Sequence, residues 1–132
     1  MDYSKLSNFE INKRVATSLG YRLYKDGSSN QHNHVSVEDN GKCGSISMEW
    51  CNNSEEAWSV IYKNKISIMW MTEEKQWCAW ANGELEEGCW EWKYCPDDYS
   101  HDDNPLRAAM IVFLMMQESA NVPANSTGSD LR

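Results

Sequence analysis

The sequence predicts an α+β domain, with helices packed on a mostly antiparallel sheet and a three-layer α-β-α sandwich as one way of stacking them. Three observations carry this. Three segments open with helix-capping residues and continue with helical apolar spacing. Two alternating runs, 66–71 and 76–81, face each other across a four-residue turn. The order is helix, two or three short strands, helix, strand meander, helix, all within 132 residues.

The first helix is expected over 8–19. Ser7-Asn8-Phe9-Glu10 fits a capping box, with Leu6 and Ile11 as the hydrophobic staple. Ile11, Val15 and Leu19 then form a stripe, and Gly20 supplies a left-handed stop. Tyr21–Tyr24 is short and β-prone and runs into the breaker-rich 26–30. Val35–Val37 reads as a second strand and Asn40-Gly41 as a turn. Ser45–Trp50 alternates polar and apolar residues. A second helix over 54–63 is capped by Asn53 or Ser54, carries Glu55 and Glu56 in its first turn, and shares one face among Ala57, Trp58 and Ile61.

The hairpin of 66–71 with 76–81 turns through Thr72–Lys75. Asn82-Gly83 is a strong two-residue hairpin signal, so the alternating Cys89–Tyr94, with Trp90, Trp92 and Tyr94 on one face, is expected as the third strand of the meander. Pro96–Asp103 reads as an acidic loop. The last helix, over 105–117, starts with Asn104 as N-cap and Pro105 at its first position. Ala108–Met116 is apolar nearly all round, which predicts burial on most sides. The expected core is Ile11, Val15, Leu19, Trp58, Ile61, Ile68, Leu106, Met110, Ile111 and Leu114. The domain is expected over 1–118, with 119–132 a polar, mobile tail.

The formal net charge of −8 argues against direct nucleic-acid binding, which neutralises phosphates with Lys and Arg. Residues 84–103 hold Glu84, Glu86, Glu87, Glu91, Asp97, Asp98, Asp102 and Asp103 against Lys93: eight acids minus one base is −7, nearly the whole net charge. That stretch is either a solvated, solubilising surface or an acidic, DNA-mimic-like face for a basic partner. No apolar run approaches the roughly 18 residues of a membrane span, and no signal peptide is recognised at the N-terminus, so a cytoplasmic protein is expected. Five cysteines without Cys-x-x-Cys spacing predict free thiols rather than a disulfide framework or a zinc site.

Three blocks resemble a known family. Asp2–Asn12 is similar to the start of the NinX family of lambdoid-phage proteins. Cys51-Asn52-Asn53-Ser54-Glu55-Glu56-Ala57-Trp58 resembles its central Cys-Asn-Asn-Pro-x-x-Ala-Trp block, with Ser54 where the family has Pro. Asn104–Met116 resembles its closing helix. The Trp-rich acidic stretch 84–103 lies outside these blocks. The resemblance implies a phage or prophage origin and an accessory role, and it assigns no activity and no cofactor.

The residues themselves suggest binding rather than catalysis. His32 and His34, with His101-Asp102-Asp103, form a weak metal-ligand set without a third ligand at useful spacing, so a polar loop is preferred. No phosphate-cradling Gly-rich loop occurs, and most of the cysteines stand at strand positions beside Trp as small apolar fillers. Arg107 falls in the first turn of the last helix, where a cation opposes the dipole at a cost of up to about 1 kcal/mol. It either pairs with a carboxylate such as Asp102 or Asp103, or holds an anionic ligand with the backbone amides of Leu106 and Arg107 next to Asn104. Trp77, Trp80, Trp90 and Trp92 could stack a base if exposed. Two functions follow. One is a counter-defence protein sequestering a nucleotide-like anionic host signal through Arg107 and Trp, with removal of Arg107 leaving the fold intact. The other is an inhibitor engaging a basic host protein through Glu84, Glu86, Glu87, Glu91, Asp97 and Asp98. A Trp-rich strand edge would also suit a homo-oligomer.

Overall fold

The computed structural model describes residues 1–29, 33–39, 44–88 and 91–120. The three expected helices form as α1 (Asn8–Ser18), α2 (Ser54–Asn64) and α3 (Pro105–Ala120). Their caps are the expected ones. The Ser7 hydroxyl accepts from the Glu10 amide at 3.1 Å and the Asn53 side chain from the Glu56 amide at 3.0 Å. Gly20 follows α1 with φ +92°, a left-handed conformation that costs glycine little.

Strands β1 (Val35–Glu38) and β2 (Ser45–Met48) pair antiparallel, with Leu23 bridging to Val37. The main sheet has the order β3-β4-β7, all antiparallel, from β3 (Ser67–Met71), β4 (Gln76–Ala81) and β7 (Asp98–Asp102). The expected β3–β4 hairpin is present, in the register Ile68↔Ala79. The expected third strand is not. Outside the main sheet, β5 (Glu84–Leu85) pairs with β6 (Trp92–Tyr94) as a small ribbon, and the first two residues of the expected strand, 89 and 90, lie outside the described residues. The strand beside β4 is β7, from the stretch expected as an acidic loop. Its residues are polar, but Ser100 lies opposite Ala79 and is buried, so its position against β4 outweighs its low strand propensity.

Cross-strand partners share a face. Ile68, Ala79, Ala81 and Ser100 therefore look toward the helices, and Ala79 and Ala81 are part of the core. Ala108 and Ala109 meet them from α3, so small residues on both sides bring the helix close to the sheet. Helices α1 and α2 pack on α3, which places the three helices on one side of the sheet. The three-layer sandwich is thus not the stacking adopted. On the opposite face Tyr99 and His101 are exposed, while Trp80 is covered by the ribbon's Trp92, with ring centroids 5.3 Å apart and perpendicular. A Cβ on Gly83 would come within 3.0 Å of Pro96 and Trp80, so glycine is what lets the ribbon fold down there.

Two expected core residues are exposed. Leu19 is 40% exposed and Trp58 61%. A stripe repeating every four residues drifts about 40° per step on a 3.6-residue helix, so α1 has turned its face away by Leu19. In α2 the buried positions are Ala57, Val60 and Ile61, and Trp58 lies beyond their edge, beside Tyr62 one turn on. Ile68 and Leu106 are half-buried against the core, and the other six expected residues are buried. Helix α3 continues two residues past the expected domain end at 118, and 121–132 lie outside the described residues. Leu114→Ala should cost roughly 2–5 kcal/mol in urea unfolding, whereas Trp58→Ala should stay within about 0.5 kcal/mol.

Candidate functional site

The N-terminus of α3 was the expected anion site, and its donors already have partners within the chain. The Asn104 side-chain oxygen accepts from the Leu106 amide at 2.8 Å and the Arg107 amide at 3.3 Å. The Arg107 guanidinium donates through Nε to Asp102 at 2.9 Å, through Nη1 to Asn8 at 2.6 Å, and through Nη2 to the Ser4 and Leu6 carbonyls at 3.1 and 2.9 Å. These four bonds occupy all but one of the roughly five N–H groups a guanidinium offers. Its side chain is 13% exposed, and the Asp102 pairing is the carboxylate alternative stated for this residue.

From Arg107 a hydrogen-bonded path runs through the domain. Asp102 accepts from the Asn104 amide at 2.9 Å. The Asn104 side-chain amide donates to the Cys51 carbonyl at 2.9 Å and to Asn52 Oδ1 at 2.7 Å. The Cys51 amide donates to Asn12 Oδ1 at 3.0 Å and Glu49 Oε1 at 3.1 Å. Asn12 and Glu49 are both buried and bonded to each other, and Asn12 also donates to the Asn33 carbonyl at 2.8 Å. Burial, followed by the negative charge of Glu49, pushes the Cys51 thiol up to about 12. Such a thiol stays protonated and is a poor nucleophile.

This path joins Ser4, Leu6, Asn8 and Asn12 at the start of the chain to Cys51 and Asn52 in the middle and Asn104 and Arg107 near the end. Those are the three blocks that resemble a family. The family described as Bacteriophage P22, NinX, matches residues 2–117. The chain belongs to that family. It is a phage accessory protein, and the match also spans the 84–103 stretch that the three blocks left out. No curated protein matches the chain.

The aromatic candidates separate. Trp77 and Trp80 are an odd number of residues apart on β4 and point to opposite faces. Half-buried Trp77 is the cross-strand partner of Asp102 and meets the exposed Trp70 edge-on, centroids 5.4 Å apart, so one Trp pair lies at the Arg107 end of the sheet. Trp80 is buried under Trp92 on the far face. Trp90, Cys43, Cys89 and His32 lie outside the described residues. Of the acids, Glu84, Glu86, Glu87, Glu91 and Asp97 are exposed. Asp98 instead pairs with Ala81 on the helix side, half-buried, and burial together with Asp97 and Glu118 raises its carboxyl above the ordinary range. Sequence reading had no signal for the Asn12–Glu49–Cys51 cluster, because nothing local announces that α1 and the segment before α2 meet.

Arg107→Ala should therefore cost roughly 3 kcal/mol in urea unfolding, since it leaves Asp102 and two backbone carbonyls without their donor. This reverses the expectation of an intact fold. Arg107→Lys should recover less than half of that loss, because an ammonium cannot span the same acceptors. Peptide mapping after maleimide treatment near about pH 8 should show Cys95, which is exposed, labelled in the folded chain, and Cys51 labelled only after unfolding.

Proposed function

We propose that this phage protein acts by binding rather than by catalysis, and that it blocks a basic surface of a host protein in a counter-defence role. The observation that supports this is the ribbon with the strand that follows it. They set exposed aromatic rings, Trp92, Tyr94 and Tyr99, among the exposed Glu84, Glu86, Glu87, Glu91 and Asp97. The cation of the ribbon, Lys93, is taken up by Glu84 at 3.5 Å. Acids give orientation and on-rate toward a basic partner, and aromatic rings supply contact area at low entropic cost.

Sequestration of a nucleotide-like signal at Arg107 is the weaker reading. An anion there would have to displace Asp102 and two carbonyls, and the α3 amides are already capped by Asn104. Trp77 beside Asp102 is what remains in its favour.

The test is affinity capture from host lysate, followed by calorimetry with the purified partner. Glu86→Gln, Glu87→Gln and Glu91→Gln combined should weaken binding about tenfold or more, and raising salt should do the same to the unaltered chain. A partner that is not basic, or one that binds the triple variant as tightly, would sink the proposal.

A further inference from the structure

A groove of about 750 Å³ runs between α1 and the C-terminal half of α3, floored by Leu114 and flanked by Tyr3. That volume suits a small organic molecule. Lys13, Arg14 and Thr17 line it from one face of α1. In a chain with 20 acids against 12 Lys and Arg, cations are expected to find carboxylates. These two do not. Among the described residues neither Lys13 nor Arg14 makes an ion pair or a side-chain hydrogen bond, and Lys13 only lies 5.9 Å over the Phe9 ring. The Nε of Arg14 is a buried donor with no partner, a state that native proteins rarely leave unanswered.

The nearby acids make no hydrogen bond to that Nε. Glu118 accepts the Tyr3 hydroxyl and pairs with the Met1 ammonium at 3.7 Å. Glu10 stands in the first turn of α1, where the helix dipole favours it. Between them Lys13 and Arg14 line an opening beside Tyr3 and Leu114. That combination recognises a negatively charged head on an apolar or aromatic body.

We propose that this groove binds a small organic anion, with its phosphate or carboxylate on Arg14 and Lys13 and its body against Leu114 and Tyr3. The site is separate from the acidic ribbon and does not depend on the ribbon's role. A ligand oxygen held by the guanidinium would tie α1 to α3.

Thermal unfolding with millimolar adenosine monophosphate, indole-3-acetate or adenosine tests this. Adenosine monophosphate, indole-3-acetate or both should raise the melting temperature by a few degrees, and which one does so identifies the head group. Uncharged adenosine should not. Arg14→Gln should weaken the responding ligand about tenfold or more by calorimetry, while keeping the unliganded circular dichroism spectrum; Lys13→Gln serves if Arg14→Gln does not fold. Glu86→Gln, Glu87→Gln and Glu91→Gln should leave the shift unchanged. The site is refuted if neither anion shifts the melting temperature, if adenosine shifts it equally, or if the shift survives in the folded Arg14 or Lys13 variant.

Discussion

A single guanidinium holds the segment before α1 to the start of α3. Arg107 gathers Asp102, Asn8 and the carbonyls of Ser4 and Leu6 around one planar group. Its fixed geometry dictates where each acceptor must lie, which a flexible ammonium would not. The segment before α1 has little regular structure of its own beyond one short 3-10 turn, Tyr3–Lys5. Its path over α3 is set by donating and accepting groups rather than by a helix or a ladder. At the other end of α3, Tyr3 reaches Glu118, so the same segment is fastened at two points along one helix.

The polar path from Arg107 through Asn104 and Cys51 to Asn12 and Glu49 adds direction to a core that apolar burial alone would leave less specific. Taking such groups out of water is costly, and well-packed apolar residues often do as well for stability. What the network supplies is register. It fixes the start of α2 against the start of α3, and both against α1, while Ala79, Ala81, Ala108 and Ala109 allow the close approach of helix and sheet. The consequence is a division of labour. The body is cross-braced on the helix side, and the ribbon lies on the other side of the sheet, attached through Gly83 and the Trp80–Trp92 contact.

How much of this was legible follows the range of the forces involved. The caps of α1, α2 and α3 are local chemistry, decided by Ser7, Asn53 and Asn104 within a few residues, and they read correctly. The β3–β4 pairing is short-range and also read correctly. Strand β7 was hidden because Asp98–Asp102 carries no apolar alternation, and its identity depends on Ala79 and Trp80 waiting opposite. Asn82-Gly83 bends the chain, with Asn82 at φ +63°, but the strands on either side of it do not pair, so the expected two-residue hairpin does not form and a separate ribbon follows. At Arg107 both the ion pair and the anion site were readable from sequence. Only the distances show that the chain's own groups take up the donors. The unmet Arg14 was invisible, since its state depends on which residues α3 brings over α1.

The fates of Arg107 and Arg14 explain why charge alone is a poor guide to a binding site. Each is a cation in an acidic chain, and by sequence Arg107 is the more conspicuous because it opposes a helix dipole. Once folded, the conspicuous one is satisfied and so has little left to offer a ligand; a new anion there competes with a carboxylate already in place. Arg14 sits in mid-helix, where nothing in the sequence marks it, yet it reaches the folded state with its Nε buried and unbonded. Binding free energy comes from the difference between the free and the bound state, so an unpaired donor gains more from an incoming acceptor than a paired one does. The unsatisfied cation is the better candidate for an anion, and the satisfied one is the better candidate for holding the fold.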